Sequence, residues 1–291
     1  MAFSCILALL KENVAIPTMD SSTDSRAVFR RLHESGCFVM PNPWDVGSAR
    51  VLEQLGFPAL ATTSSGLAWS LGKRDNAVSR NETIAHLRAI VEAVDVPVNA
   101  DFEDGFATVP TDVARNVKIA TTTGVSGLSI EDSSGDEAEP LFDFTLAVER
   151  ISAARRSIDE SGTGILLTAR SEGFIVGRPD LAETIRRLTA YAEAGADCLY
   201  APGLSTTQDV SAVVKALAPK PVNVLVGSDF TTVAELAELG VRRISVGGAL
   251  ARAAWGSFLY AASEIAEHGT FARLAAGVPF PVLNRRFTSR S

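Results

Sequence analysis

Short apolar runs alternate with segments of helical period along almost the whole chain. This alternation limits the possible folds more than any single motif. Residues 25–35 carry Val28 and Leu32 at helical spacing and close at Gly36, and an apolar run at 37–40 follows, broken by Pro41-Asn42-Pro43. The pattern then repeats. Strand-like runs fall at 59–63, at 94–98 leading into the acids of 101–104, and at 127–130, 164–169, 198–201, 221–226 and 243–246. Helical segments fall at 44–55, 79–94, 111–122, 144–161, 181–194, 207–217, 231–239 and 249–267. The helix at 79–94 opens with Ser79 and Glu82 in the spacing of a capping box. Strands buried on both faces read as short apolar runs, and such βα units predict an α/β fold with a parallel sheet.

Eight units of this spacing in 291 residues fit a closed (β/α)8 TIM barrel, which typically needs about 250 residues. An open doubly wound sheet usually carries a glycine-rich phosphate turn after its first strand, and here that place reads Pro-Asn-Pro-Trp-Asp. The expected organisation is an N-terminal extension at 1–24, a barrel at 25–275 and a C-terminal tail at 276–291. The helix of the eighth unit, 249–267, is long and largely apolar, and its small residues (Ala249, Ala251, Ala253, Ala254, Gly256) suit close helix packing between subunits.

Charge and cysteine usage exclude several classes. The formal net charge of −7, with no Lys/Arg cluster to offset it, argues against a nucleic-acid partner. No apolar run approaches the roughly 20 residues that span a bilayer, so no membrane partner is expected. The apolar stretch 2–10 lacks a preceding Lys or Arg and is interrupted by Lys11-Glu12, unlike a signal peptide. Cys5, Cys37 and Cys198 match no metal or disulfide spacing, and the last two lie in apolar runs as buried thiols. A reducing cytoplasmic location is the expectation.

In a barrel, the C-terminal strand ends converge on one face. Those ends bring together Trp44 and Asp45, Ser65-Gly66-Leu67, Asp101 and Glu103, Glu131, Arg170, Asn223 and Gly247-Gly248. Asp101 and Glu103 alternate with Phe102 and are expected on one side of their strand end. So many carboxylates beside a single arginine call for a divalent cation. Oxygen-only ligands favour Mg2+, or Mn2+, over Zn2+. Arg170 suits bidentate capture of a substrate carboxylate or phosphonate, or else a salt bridge to Glu131 or Glu172. Ser65, Gly66 and Leu67 offer backbone N–H groups and a hydroxyl, and Trp44 and Asn223 are expected to line the substrate pocket. His33, His86 and His268 fall in helices away from the mouth, so no histidine acid or base is evident.

These motifs carry a family resemblance. Pro-Asn-Pro-Trp-Asp, Thr-Thr-Ser-Ser-Gly-Leu, Leu-Gly-Lys-Arg-Asp, Asp-Phe-Glu-Asp-Gly-Phe, Ile-Glu-Asp and Thr-Ala-Arg-Ser-Glu occur in this order. Over roughly residues 25–270 the chain resembles the isocitrate lyase/phosphoenolpyruvate mutase superfamily. The resemblance implies a barrel whose final helix swaps between subunits, in a homotetramer built as a dimer of dimers. It implies Mg2+ held by Asp101 directly and by Glu103 and Glu131 partly through water. It also implies that Ser65, Gly66 and Leu67 grip the carboxylate of a small 2-oxo acid, with Asp75 close by and Arg170 on the substrate. Members stabilise, through the metal, the enolate formed when a C–C or C–P bond breaks.

Two departures narrow the branch. The Lys-Lys/Arg-Cys-Gly-His loop of isocitrate and methylisocitrate lyases has no counterpart, and no cysteine lies between Cys37 and Cys198. The loop at 132–136 is short and lacks the gate of phosphonopyruvate enzymes, and Pro202 stands where the mutases place a histidine. What remains resembles oxaloacetate decarboxylases and related enzymes. The expected activity is Mg2+-dependent C–C cleavage, by decarboxylation or retro-aldol chemistry, of a small 2-oxo or 2-hydroxy carboxylate or dicarboxylate. Arg170, Asp75 and Glu131 are the candidate catalytic groups. C–P chemistry on phosphonopyruvate and a silent 2-oxo acid-binding protein are the alternatives.

Overall fold

The computed structural model describes residues 24–287, so most of the expected N-terminal extension and the last four residues lie outside the described residues. Asp24 closes the described start by capping α1 (Ser25–Leu32), its carboxylate accepting from Arg26 N at 3.0 Å. The alternation follows in order: β1 (Phe38–Val39), α2 (Val46–Gln54), β2 (Leu60–Ala61), α3 (Ser64–Ser70), α4 (Arg80–Ala93) and β3 (Val98–Asp101). After these come α5 (Pro110–Ala120), β4 (Gly127–Glu131), α6 (Phe144–Ser161), β5 (Leu166–Arg170), α7 (Leu181–Glu193) and β6 (Cys198–Tyr200). The last units are α8 (Thr207–Leu217), β7 (Val222–Leu225), α9 (Val233–Glu238), β8 (Arg243–Ser245) and α10 (Ala249–His268).

The eight strands form one parallel sheet in the order β1-β8-β7-β6-β5-β4-β3-β2. Its two ends meet, because Ala61 N donates to Pro41 O at 3.1 Å and Asn42 Nδ2 to Thr62 O at 2.9 Å. This is the expected (β/α)8 barrel. The run 94–98 contributes only its last residue to β3: Pro97 has no N–H to give the ladder, although its carbonyl accepts from Leu60 N. The apolar helix faces and strand backs form one core, with Leu60, Ile90, Leu128, Ile130 and Ile158 fully buried.

Two features depart from the expected loops. Residues 64–67, outside the expected helical segments, are the start of helix α3, because Thr63 caps it through Oγ1 to Gly66 N. The tail at 276–291 is partly structured: a 3-10 turn (Ala272–Ala276) leads to helix α11 (Phe280–Arg286). Arg286 O accepts from Gln54 Nε2 at 2.7 Å, which returns the chain to α2. No helix among the described residues is long and apolar enough to cross a membrane.

α1 is anchored inside the bottom of the barrel by Phe29, which is fully buried among Phe38, Met40, Ala59, Ala61 and Leu166. Gly127 opens β4 where a Cβ would lie 2.6 Å from both the Phe29 ring and Asn99 Oδ1, so only glycine fits. His33, just after α1, is also buried; its Nδ1 lies 2.8 Å from Phe29 O and its Nε2 3.2 Å from Arg243 Nη1. Nδ1 therefore carries the proton and Nε2 accepts. Burial first, then the Arg243 charge, pushes the His33 pKa down to about 3. The unfolded chain takes up this proton near pH 6.5 and the folded one only near 3, so stability is complete above 6.5 and falls as pH drops through that window. Chemical denaturation between pH 7 and 4 is expected to show a shallower acid loss for His33→Gln than for the parent. Parallel curves would show that His33 does not contribute to the acid lability.

Candidate active site

The mouth of the barrel is organised by Arg170, the last residue of β5. Its Nη1 donates to Asp101 Oδ1 at 2.8 Å and its Nε to Glu172 Oε1 at 2.8 Å, while Nη2 lies 3.1 Å from Glu131 Oε2. The strand register explains the meeting, since Glu131 pairs directly with Arg170 and Arg170 with Tyr200. All three guanidinium nitrogens are thus engaged by acids from three successive βα units. The salt-bridge role of Arg170, one of the two expected, is the one the structure displays.

Asp101 is held on both sides. Its Oδ2 accepts from Ser64 N at 2.9 Å, and its own N–H donates to Thr62 Oγ1 at 2.9 Å. Glu103 does not continue the strand alternation expected for it. β3 ends at Asp101, and Glu103 adopts a left-handed backbone (φ 47°), which a non-glycine residue enters only at a cost of about 1 kcal/mol or more. The surroundings enforce this turn. Glu131 N donates to Glu103 O, Asn116 Nδ2 to Gly105 O, and the buried Arg150 to the carbonyls of Asp104, Ala107 and Glu131. The Arg150 guanidinium also stacks 3.8 Å from the Phe142 ring. Arg150→Met removes all these donors at once, and a loss on the order of 3 kcal/mol in unfolding free energy is expected. A change below about 1 kcal/mol in denaturant unfolding would show that Arg150 is dispensable to this loop.

The acids exceed the cations here. Burial first, then Asp101, Asp75 and Asp104, pushes the Glu103 carboxyl up to about 8. Burial also raises Glu131 and Glu172, Arg170 opposing the rise in each, and burial together with Asp101 raises Asp75. Against the burial that disfavours its charge, Glu172, Glu131 and Asp101 hold the Arg170 guanidinium well above its ordinary range. A further carboxylate, Asp132, is buried and holds the end of the β5 loop. It accepts from Glu172 N at 2.7 Å, Tyr191 Oη at 2.6 Å and Arg187 Nη1 at 3.2 Å. Asp45 is not part of the cluster, being the exposed cap of α2 with Ser48 N at 2.6 Å.

Beside these groups lies a cavity of about 230 Å³ whose walls include Ser65, Asp75, Asp101, Arg170, Glu172 and Gly248. Several expected site residues therefore share one space. Asn223 also lines it, but one layer lower and 1% exposed, with Oδ1 accepting from Arg243 Nε and Nδ2 donating to Ser245 Oγ. Trp44, Gly66, Leu67, Glu103 and Glu131 lie outside the lining. The N–H groups of Gly66 and Leu67 are used inside the first turn of α3, by Thr63 Oγ1 and Thr63 O. A Cβ on Gly66 would come within 2.8 Å of Trp44 Cβ, so this contact is a packing one.

Among the described residues, no three His, Cys, Asp or Glu side chains stand ready to hold a metal ion together. A hard cation does not need three, because Mg2+ takes one or two carboxylates and fills its shell with water and substrate oxygens. The donor set is all oxygen, and the raised Glu103 carboxyl marks a surplus of negative charge that a cation relieves. On these grounds the residues fit Mg2+ or Mn2+.

Comparison with known proteins places the whole barrel. The sequence matches the family described as Phosphoenolpyruvate phosphomutase over residues 29–266. A solved structure from Burkholderia cenocepacia J2315, designated provisionally a lyase/mutase, is 46% identical, with a TM-score of 0.88 over 90% of this chain and 96% of that one. A structure of 2,3-dimethylmalate lyase, described as a member of the PEP mutase/isocitrate lyase superfamily, is 28% identical, with a TM-score of 0.80 over 91% and 95% of the two chains. Phosphonopyruvate hydrolase, in complex with oxalate and Mg2+, is 25% identical, with a TM-score of 0.80 over 91% and 95%.

Proposed function

Because the chain belongs to the phosphoenolpyruvate phosphomutase family, within the isocitrate lyase/phosphoenolpyruvate mutase superfamily, we propose that it is a Mg2+-dependent lyase. It cleaves a C–C bond, by decarboxylation or retro-aldol chemistry, in a small 2-oxo or 2-hydroxy carboxylate such as oxaloacetate. The observation that carries this reading is the clustering of Asp101, Glu131 and Glu172 on the single guanidinium of Arg170 at the mouth of a small cavity.

In this reading Asp101, with Glu103 and Glu131, holds the cation, and Arg170 fixes the direction in which Asp101 and Glu131 present their oxygens. When bound, the cation supplies Lewis-acid stabilisation of the oxyanion that develops as the bond breaks. Ser65, in the cavity wall at the start of α3, binds the carboxylate next to the reacting carbonyl. Asp75 faces the same space, where burial and the neighbouring Asp101 raise its carboxyl pKa, and it is the candidate side chain for proton transfer.

The test is pyruvate release from oxaloacetate and a panel of 2-oxo and 2-hydroxy acids, with and without EDTA. Turnover that survives chelation would remove the metal from the mechanism. Phosphonopyruvate belongs in the same panel, followed by 31P NMR, because phosphonopyruvate hydrolase shares the fold at a TM-score of 0.80.

We also infer a homotetramer in which the last helices meet a partner. Phe258, Leu259 and Tyr260 on α10 and Phe271 and Phe280 beyond it are each more than half exposed, an apolar surface that an isolated chain rarely carries. Light scattering is expected to give the tetramer mass, and a monomer would overturn this part of the reading.

A further inference from the structure

Below the acidic mouth sits a second arginine of opposite character. Arg243 opens β8, is 1% exposed and lines the floor of the same cavity. Its partners are all neutral. Nε donates to Asn223 Oδ1 at 2.8 Å, Nη2 to Thr168 Oγ1 at 3.0 Å, and Nη1 meets His33 Nε2 at 3.2 Å. His33 cannot supply a counter-charge, since imidazole is neutral or cationic. Among the described residues no carboxylate forms an ion pair with Arg243, whereas Arg170, one layer above, has three.

Such a site is costly as it stands. A buried guanidinium without an acid loses its hydration and gains only dipoles in return. Its N–H donors also outnumber the three partners, leaving one on each terminal nitrogen. The side chains around it are polar where barrel interiors are ordinarily filled by branched apolar ones: Asn99, Ser129, Thr168, Asn223 and Ser245.

On the proposed reading of the mouth as a 2-oxo acid site, we infer that Arg243 is the anchor for a second carboxylate of the substrate, carried on a chain of four or five carbons. The spacing supports that length. Arg243 and Ser245 point inward from positions two apart on β8, as Thr168 and Arg170 do on β5, and two strand residues span about 6.6 Å. One carboxylate and the oxo group occupy the mouth, and the distal carboxylate reaches the floor. Arg170 does not take that second role, because three carboxylates, Asp101, Glu131 and Glu172, already balance its charge.

The test is calorimetric binding in Mg2+ of matched pairs that differ only in the distal carboxylate: oxaloacetate against 2-oxobutanoate, and 2-oxoglutarate against 2-oxopentanoate. The parent protein is expected to prefer at least one dicarboxylate by about 10- to 100-fold, the gain typical of hydrogen bonding to a charged group. Arg243→Met is expected to collapse that ratio toward one while leaving monocarboxylate affinity and Mn2+ binding, read by electron paramagnetic resonance, unchanged. If Arg243→Met does not fold, Arg243→Lys keeps the charge without the fork, and the preference is expected to fall several-fold. A parent that binds both members of each pair equally, or a variant that keeps the full preference, overturns the inference while the 2-oxo acid reading stands. A parent that binds none of the four acids overturns both.

Discussion

Asp101→Asn is expected to lower turnover by about 10³-fold or more while leaving the barrel folded. Asp101 ends β3, its side chain is 15% exposed, and its two oxygens meet Arg170 Nη1 and Ser64 N. The amide keeps the shape and can still accept from either donor, but it withdraws the charge that the cation needs. Melting temperature is therefore expected to move by only a few degrees, because Glu131 and Glu172 remain to pair Arg170. Loss of Mn2+ binding should accompany the loss of turnover. A variant that turns over at the parental rate would show that β3 does not end in the metal site.

Arg170→Met has a different signature, because it strikes stability and activity together. Without the guanidinium, Asp101, Glu131 and Glu172 face one another with no cation between them, and removal of one partner from a buried ionic cluster costs on the order of 3 kcal/mol. The acids are then expected to take up protons at higher pH than in the parent, so the variant should be more stable in mildly acidic than in alkaline solution. Turnover should fall by about 10²-fold or more, as for the loss of a preorganised charged donor. Combining Arg170→Met with Glu172→Gln separates the two effects. Stability should recover in part because one repulsive charge is gone, and turnover should not recover. A double variant as unstable as the single one would show that repulsion among the acids is not the source of the loss.

Much of this was legible in the chain. Apolar runs and helical periods located all eight strands, because burial on both faces leaves a continuous local signature. The helices over 144–161 and 207–217 match α6 and α8 to the residue, since Asp143 and Thr206 cap them and declare where they begin. Asp101, Asp75, Ser65, Arg170 and Asn223 were expected at the mouth and do line one cavity. The turn at Glu103 was not legible. Its left-handed backbone is imposed by Arg150 and Asn116, which lie on other helices and reach it only in the folded barrel. Asp132 and Arg243 were passed over for a related reason: one reads locally as a loop acid and the other as a strand residue, and each acquires its role from partners far along the chain.

The sequence by itself determined the order and type of the elements and the presence of excess acid at the strand ends, because side-chain period and chain-local capping decide these. Only the tertiary structure decided which charges are balanced and which are not. Arg170 and Arg243 both lie on apolar strands and look alike in the sequence, yet the first meets three carboxylates and the second only neutral dipoles. That difference comes from register and closure. The pairing of β4 with β5 sets Glu131 against Arg170, while β8 pairs with both β1 and β7 and brings Arg243 to His33 across 210 residues of chain. Electrostatic balance is a property of distances in space, and those distances are fixed when the barrel closes.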